Sequence, residues 1–349
     1  MKPLIKVTGV PRSSLADWGE FAFIEALKKR LPPLSGGLRL GPGDDASWWL
    51  PDDAGGILTT ADMLVAGVHF DLHYTTAASL GYKALAVNLS DLAAMGGKSG
   101  ATAYLSLALP PTLEKRWLES FLDGFLGLAG TQRVQLAGGD TVRGRELVIA
   151  VTLNGQPAGC SPICRQGAMV GDDLYLSGWL GDSYLGLKLL QGRLAETAGR
   201  EREAAYLRER HLCPQPRVSL GEKLGASGVV SAMLDVSDGL VADLGHLLVA
   251  AGGLGAQLEA ERLPLSPAAG FFLHSGLVDY PRLLSGGEDY ELLFTAPPAQ
   301  RQAVAAASAA AGTAVTRIGR ITAAAGVVFC HQGLKTALSG FGGYDHFRA

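Results

Sequence analysis

Two aspartates, Asp235 and Asp238, flank Ser237 in the stretch LDVSDGL at residues 234–240. Apolar residues precede this stretch and an apolar run follows it, so the acids are predicted to lie between a buried strand and a helix. The first N–H groups of a helix lack partners within the helix. Carboxylates beside them suit a cation and the phosphate that it carries. Ser237 or Asp238 would equally serve as the N-cap of that helix, so both interpretations stay open here.

Five further acids have a similar setting. Aspartates at predicted strand ends or inside apolar segments are Asp45, Asp62, Asp91, Asp140, Asp235 and Asp238, and Glu288 follows a Gly-Gly pair. Each one alone is typical of a solvated loop residue. Together, in apolar surroundings, they are costly to bury unless cations neutralise them. Because Mg²⁺ usually takes one or two protein carboxylates, converging aspartates predict several ions with a polyphosphate between them.

Glycine supports this interpretation. The chain has 47 glycines among 349 residues, and many stand beside acids, as in GPGDD, AGGD, VGDD and GGED. Glycine lets the backbone approach a ligand closely. The P-loop, the dinucleotide-binding G-x-G-x-x-G, the protein-kinase motifs and the G-x-S-x-G elbow are all missing from the sequence.

Two other candidates are weaker. The pair His69 and His73 has the spacing of a metal pair on a helix, but HFDLH has a strand or loop context, which favours a surface position for His73. Arg165 is able to grip a phosphate, although the sequence alone favours an ordinary surface arginine.

Composition excludes several classes of protein. The net charge is −3 with a pI near 6.2, and no basic block is present, so a nucleic-acid partner is not expected. We expect no membrane segment and a cytosolic location, because the first residues lack a signal-peptide core and no apolar run approaches 18 residues. Four cysteines without a second paired motif argue against zinc and are expected to be reduced.

The elements that position these residues indicate an α+β fold with two domains. A buried helix is predicted at 77–95, where Lys83, Val87 and Asp91 share one face. A further helix is predicted at 13–31, and Gly138-Gly139-Asp140 is expected to end a strand. The Gly- and Pro-rich segment 155–171 suggests domains at 1–157 and 158–349.

The motifs, in order, resemble a known family. They are GPGDDAS, TTADMLVAGVHF, GYKALAVNLSDLAAMGG, LAGGDT, LDVSDGL, GGEDYELLF and GYDHF. Over roughly residues 17–347 the chain is similar to the thiamine-monophosphate kinase family, within the aminoimidazole ribonucleotide synthetase-like ATP-binding superfamily. The resemblance implies two α/β domains, a homodimer formed through the N-terminal sheet, and conversion of ATP and thiamine monophosphate to ADP and thiamine diphosphate.

The resemblance also implies roles for individual residues. Magnesium contacts are implied for Asp45, Thr60, Ala61, Asp62, Asp91, Asp140, Asp235 and Asp238. ATP contacts are implied for Gly138, Gly139, Asp140, Arg165 and Ser237. Thiamine-phosphate contacts are implied for His69, Glu288 and Phe341. Two positions depart from the family pattern. Ala61 replaces a hydroxyl residue and keeps only its carbonyl as a ligand. Phe341 replaces a tryptophan and offers no N–H donor.

The implied reaction needs no general base, because the accepting phosphate is largely ionised at pH 7. Its obstacle is repulsion between two anions, which several Mg²⁺ ions would relieve during direct in-line transfer. The alternatives are another enzyme of the superfamily or a non-catalytic metal- or nucleotide-binding module. A selenophosphate synthetase is disfavoured because the N-terminal segment has no cysteine. Motif support for an aminoimidazole ribonucleotide synthetase or a hydrogenase-maturation role is missing.

Overall fold

The computed structural model describes residues 26–27, 29–35, 37–40, 48–49, 56–195 and 198–338. The strands are β1 (Leu38–Leu40), β2 (Trp48–Trp49), β3 (Leu58–Val65), β4 (Thr102–Leu109), β5 (Gln135–Arg143), β6 (Val148–Gly155), β7 (Asp173–Ser177), β8 (Ala232–Asp235), β9 (Gly255–Glu259), β10 (Leu292–Ala296), β11 (Val315–Thr322), β12 (Gly326–His331) and β13 (Leu334–Leu338). The helices are α1 (Ala77–Ala94), α2 (Lys115–Gln132), α3 (Asp182–Leu190), α4 (Glu201–Leu212), α5 (Val218–Ser227), α6 (Leu240–Ala250), α7 (Pro267–His274), α8 (Tyr280–Ser285) and α9 (Arg301–Ala311).

The first large sheet has four strands in the order β3-β6-β4-β5, and only β4 and β5 run parallel. Its strands alternate between a covered and an open face. In β6 this places Ile149, Val151 and Leu153 in the core. In β3, Leu64 is buried while Met63 is exposed. One face of this sheet is therefore available to solvent or to another chain.

The second large sheet has seven strands in the order β13-β12-β9-β11-β7-β10-β8, and only β9 and β12 run parallel. Its central strands are buried on both faces, as β7 and β10 show. Phe294 joins the core shared with the first sheet, whereas the neighbouring Leu293 faces a second core on the opposite side. The expected α+β class is confirmed, with mostly antiparallel sheets and helices packed on them.

Helix α1 lies between the two large sheets, where it contacts β3 and β6 of the first and β8 and β10 of the second. Thr76 caps it by accepting a hydrogen bond from the Ser79 N–H at 3.1 Å. Most of its residues are buried, including the polar Lys83, Asn88 and Ser90. The helix predicted at 77–95 is therefore confirmed, and its polar side chains must find partners inside the protein.

One expected boundary is wrong. Gly138-Gly139-Asp140 does not end a strand, because β5 continues through it to Arg143. A Cβ at Gly139 would lie 1.8 Å from the Leu105 carbonyl oxygen of β4, so the glycines permit close strand contact rather than a turn.

Of the helix expected at 13–31, the described residues 26 and 27 are helical. The four cysteines are free thiols, in agreement with the expectation. No helix in the described part of the chain combines the length and the apolar character that a membrane crossing requires.

Two glycines let α1 and α2 approach each other closely. A Cβ at Gly81 of α1 would lie 1.9 Å from the Phe121 carbonyl oxygen, and one at Gly124 of α2 would lie 1.8 Å from the Ala78 carbonyl oxygen. Such distances leave no room for a methyl group unless the helices separate. The close contact therefore fixes the position of α1.

Replacing Gly124 by alanine is expected to lower the free energy of unfolding by about 1–3 kcal/mol, because the added methyl group overpacks the α1–α2 contact. Gly127→Ala is the matched control, since a Cβ there meets nothing within 4 Å. That control is expected to be neutral or stabilising by up to about 1 kcal/mol. Urea unfolding of both variants measures the difference, and equal stabilities would contradict the packing argument.

Candidate active site

Asp235 is the last residue of β8 and is buried, as the sequence pattern predicted. Its Oδ2 accepts a hydrogen bond of 2.6 Å from the Ser90 hydroxyl of α1. Asp91 directly follows Ser90 in α1, so the helix brings a second carboxyl group towards the end of β8. The contact joins α1 to the seven-stranded sheet at the position where the acids meet.

Asp62 and Thr60 come to the same place from β3. They alternate with Ala61, so their side chains lie on the face of the sheet that packs against α1. The Thr60 hydroxyl donates to Asp91 Oδ2 at 2.8 Å. Asp62 Oδ2 is buried and has no hydrogen-bond partner in the described part of the chain.

We call Asp62, Asp91 and Asp235 the carboxylate cluster. Burial, followed by the charges of Asp91 and Asp235, raises the pKa of Asp62 to about 7. Burial and the Asp91 charge likewise raise the pKa of Asp235 to about 7. Burial also raises the pKa of Asp91, against the hydrogen bond from Thr60. The cluster therefore holds negative charge where it is unfavourable without a cation.

The donor set fits magnesium. Its oxygen atoms are hard ligands, and the orphaned Asp62 Oδ2 is a buried acceptor that a cation would satisfy. Among the described residues, no three His, Cys, Asp or Glu side chains are arranged to hold a metal ion by themselves. Mg²⁺ usually completes its coordination shell with water and phosphate oxygens.

The loop that follows β8 is not held by the N-cap side chain that the sequence suggested. The N-cap of α6 is Gly239, which has no side chain to donate or accept, so the prediction that Ser237 or Asp238 caps this helix is wrong. Instead Asp243, in the first turn, accepts hydrogen bonds from the N–H groups of Asp238 at 3.0 Å and Gly239 at 3.1 Å. Ser237 and Asp238 border a cavity.

Two cavities adjoin the carboxylate cluster. The smaller, of about 290 Å³, is bordered by Thr60, Asp91, Asp235 and Arg165. The positive charge of Arg165 acts on Asp91, which is evidence that the arginine lies near the cluster. The sequence alone favoured an ordinary surface role for Arg165, and its position at the same cavity as Asp91 and Asp235 of the carboxylate cluster favours the phosphate interpretation instead.

The larger cavity has a volume of about 790 Å³ and adjoins the carboxylate cluster at Asp62. It is bordered by Ala61, Asp62, His69, Ser237, Asp238 and Glu288, and by aromatic residues that include Tyr74, Tyr184 and Tyr290. His69 Nδ1 accepts a hydrogen bond of 3.1 Å from the Val65 N–H, so the neutral ring carries its proton on Nε2. His73 is 92% exposed and pairs with Asp71, which confirms its predicted surface position.

Glu288 lies outside the carboxylate cluster, borders the larger cavity and is in contact with two other polar side chains. Its Oε1 lies 2.9 Å from the ammonium of Lys83, and its Oε2 lies 3.3 Å from Nδ1 of His211. The sequence placed Lys83 on the same face of α1 as Asp91 but gave it no role. The local sequence around His211 does not indicate a role at the site, because only the folded structure brings α4 next to the loop that contains Glu288.

Some of the predicted site residues do not border either cavity or lie outside the described part of the chain. Gly138, Gly139 and Asp140 border neither cavity. Asp140 is exposed on the edge strand β5, where its carboxylate accepts from the Thr141 N–H at 2.8 Å. Asp45 and Phe341 lie outside the described residues. The described carboxylate cluster therefore has three of the six predicted aspartates, with Asp238 nearby at the larger cavity.

Comparison with known proteins agrees with this geometry. Residues 43–156 match the N-terminal domain of AIR synthase related protein, and residues 170–331 match its C-terminal domain. The chain is 41% identical over 332 residues to the thiamine-monophosphate kinase of Salmonella typhimurium, covering 94% of this chain and 98% of that one.

Solved structures give the same result. The thiamine-monophosphate kinase of Stenotrophomonas maltophilia K279a is similar with a TM-score of 0.77 at 40% identity, over 91% of this chain and 98% of that chain. AaThiL complexed with AMPPCP and TMP is similar with a TM-score of 0.70 at 31% identity, over 96% of this chain and 99% of that chain. Sequence and structure together show that the chain belongs to the thiamine-monophosphate kinase family of AIR synthase related proteins.

Proposed function

We propose that this protein transfers the γ-phosphoryl group of ATP to thiamine monophosphate, giving ADP and thiamine diphosphate. The observation that carries the proposal is that residues of the carboxylate cluster border two cavities of different character, Asp91 and Asp235 the smaller one and Asp62 the larger one. A phosphoryl transfer between two phosphorylated substrates needs such an arrangement. The similarity to a relative complexed with AMPPCP and TMP supports the same assignment.

The smaller cavity suits the nucleotide phosphates. Arg165 borders it and provides a fixed positive charge for phosphate oxygens. Gly138, Gly139 and Ser237 remain proposed ATP contacts from the family resemblance. Ser237 borders the larger cavity, so it would act where the two substrates meet.

The larger cavity suits thiamine monophosphate. Its aromatic and aliphatic walls, which include Tyr74 and Tyr184, fit a substrate with two rings. His69 and Glu288 are the polar groups proposed to orient it, with Phe341 as a third proposed contact. The phosphate end would then point towards Asp62 and the carboxylate cluster.

Several Mg²⁺ ions, when bound, would neutralise the two phosphate groups and align the attacking and leaving oxygens. Asp62, Asp91 and Asp235 are the proposed ligands in the described site, with Thr60 and Asp238 beside them. Asp45, Asp140 and the Ala61 carbonyl are further proposed ligands. The Ala61 side chain alternates away from the face that carries Thr60 and Asp62, so it offers no ligand of its own.

The protein itself has to position and shield the substrates. The acceptor is a phosphate oxygen that is largely ionised at neutral pH, so no residue needs to remove a proton. The hydrogen bonds from Ser90 to Asp235 and from Thr60 to Asp91 fix the orientation of two carboxylates before any ligand binds. Such preorganisation is the main contribution that a phosphotransferase makes to the rate.

The direct test supplies ATP, Mg²⁺ and thiamine monophosphate and follows thiamine diphosphate by chromatography. The wild-type protein is expected to form it, and Asp235→Asn is expected to lose about a hundredfold or more of kcat because the cluster loses a charged ligand. Asp123→Asn, which removes an exposed carboxylate of α2, is the control and keeps its activity. Absence of product from the wild-type protein would overturn the proposed function, and near-normal turnover of a folded Asp235→Asn would remove that residue from the site.

Metal binding is testable without turnover. Mg²⁺ with ADP is expected to raise the melting temperature, because the cation relieves repulsion within the carboxylate cluster. A ligand at 100 times its Kd stabilises the folded state by about 2.7 kcal/mol. Scanning fluorimetry over a Mg²⁺ titration should show a weaker response for Asp62→Asn and a normal one for Asp123→Asn. A wild-type response from Asp62→Asn would contradict its assignment as a ligand.

We also propose that the chain divides into two domains between residues 157 and 158 and that the protein is located in the cytosol.

We further propose that the protein forms a homodimer through the four-stranded sheet. Met63 and Val142 on this sheet are more than half exposed, which is unfavourable for an isolated chain. Light scattering is expected to give twice the mass of the chain, and Met63→Glu to shift the mass towards the monomer. A monomer at all concentrations of the wild-type protein would contradict the dimer.

A further inference from the structure

Lys83 is a buried cation whose position the proposed reaction does not by itself explain. Its side chain is 3% exposed, and its ammonium lies 2.9 Å from Glu288 Oε1. Burying an ammonium is unfavourable unless a partner offsets the lost hydration. Lys83 borders neither cavity, so it acts on a ligand only through Glu288.

Glu288 is held in an unusual conformation. Its φ of 67° lies in the left-handed region, which costs energy for a residue with a Cβ. Its N–H donates to the Ser237 carbonyl at 2.8 Å, so the backbone is fixed against the loop that follows β8. The side chain is 28% exposed and borders the larger cavity, while its two oxygens contact the buried side chains of Lys83 and His211.

The surroundings of His211 and Glu288 determine the charge of each side chain. Burial, with a smaller effect of Lys83, lowers the pKa of His211 to about 3, so its ring is neutral at pH 7. The ring also meets the Ser183 hydroxyl at 3.0 Å. Burial is the largest influence on the pKa of Glu288 and raises it, but Lys83, His211 and His69 together lower it by more and hold the pKa below its usual value. Glu288 is therefore a carboxylate at the wall of the cavity.

We propose that Lys83 is a positioning residue that presents Glu288 as an ionised carboxylate to the ring end of the substrate. This rests on the proposed function and names the part of the substrate that Glu288 receives. In thiamine monophosphate a two-carbon arm joins the phosphate to a permanently cationic thiazolium ring, and a neutral aminopyrimidine ring lies beyond it. A fixed carboxylate fits the cationic ring, whereas the metal-binding carboxylate cluster fits the phosphate.

Helix α1 sets the separation of these two ends. Asp91 follows Lys83 by eight residues, which is about 12 Å along a helix. Both lie on the same face of α1, as the sequence predicted, and Val87 between them borders the larger cavity. The helix therefore fixes the ring-recognising carboxylate relative to the phosphate-handling cluster, and this spacing contributes to substrate selection.

The test is a double-mutant cycle on the full chain, with calorimetric titration of thiamine monophosphate and, separately, of Mg²⁺-AMPPCP. Lys83→Met is expected to weaken thiamine monophosphate binding about tenfold, which corresponds to about 1.4 kcal/mol. Binding of AMPPCP should change less than about twofold. Lys83→Met added to Glu288→Gln should cause no further loss, because Lys83 acts only through Glu288.

Lys115→Met is the matched control, since it removes a partly exposed lysine of α2 that pairs with Glu119. If Lys83→Met does not fold, Lys83→Gln takes its place in the same cycle. Unchanged binding in the folded variant, equal losses for both ligands, or additive losses in the cycle would each overturn the role of Lys83. Failure of the wild-type protein to bind thiamine monophosphate would overturn both proposals, whereas binding without formation of thiamine diphosphate would overturn the proposed function alone.

Discussion

The constraint on which this structure depends is the crowding of three carboxyl groups in a buried place. Asp62, Asp91 and Asp235 come from a strand of one sheet, the helix between the sheets and a strand of the other. Burial and mutual repulsion raise their pKa values, so the arrangement is unfavourable until a cation arrives. The fold has to be rigid enough to keep these carboxyl groups together. The free energy of folding then offsets their repulsion, and the cation site is assembled before a cation binds.

That rigidity comes mainly from α1. The glycines at its contact with α2 bring the two backbones together, and both sheets pack on its other sides. Ser90 fixes Asp235, and Thr60 fixes Asp91, so each hydrogen bond joins α1 to a different sheet. A rigid helix with polar side chains on one face can therefore organise both the phosphate end and the ring end of the proposed substrate site.

The sequence predicted the parts of this arrangement that depend on local pattern. The strand ending at Asp235, the buried helix 77–95 and the shared face of Lys83 and Asp91 follow from apolar periodicity. Contacts between distant segments were not predictable in this way. No local pattern indicates that Asp243 holds the loop after β8, because the N–H groups that it accepts from belong to Asp238 and to Gly239 at the N-cap. Gly138-Gly139-Asp140 suggested the end of a strand, because the sequence does not reveal that the Leu105 carbonyl oxygen of β4 lies 1.8 Å from where a Cβ of Gly139 would be.

The loop after the Gly-Gly pair shows why composition alone does not separate the roles of neighbouring acids. Asp289 accepts from the N–H groups of Gly181 and Ser183 and so anchors the start of α3. Glu291 is fully buried and pairs with Arg217. These two buried anchors lie on either side of Tyr290, which like Glu288 has a positive φ. Their hydrogen bonds and ion pairs offset the strain of the loop, and of its three acids Glu288 is the one that borders the larger cavity.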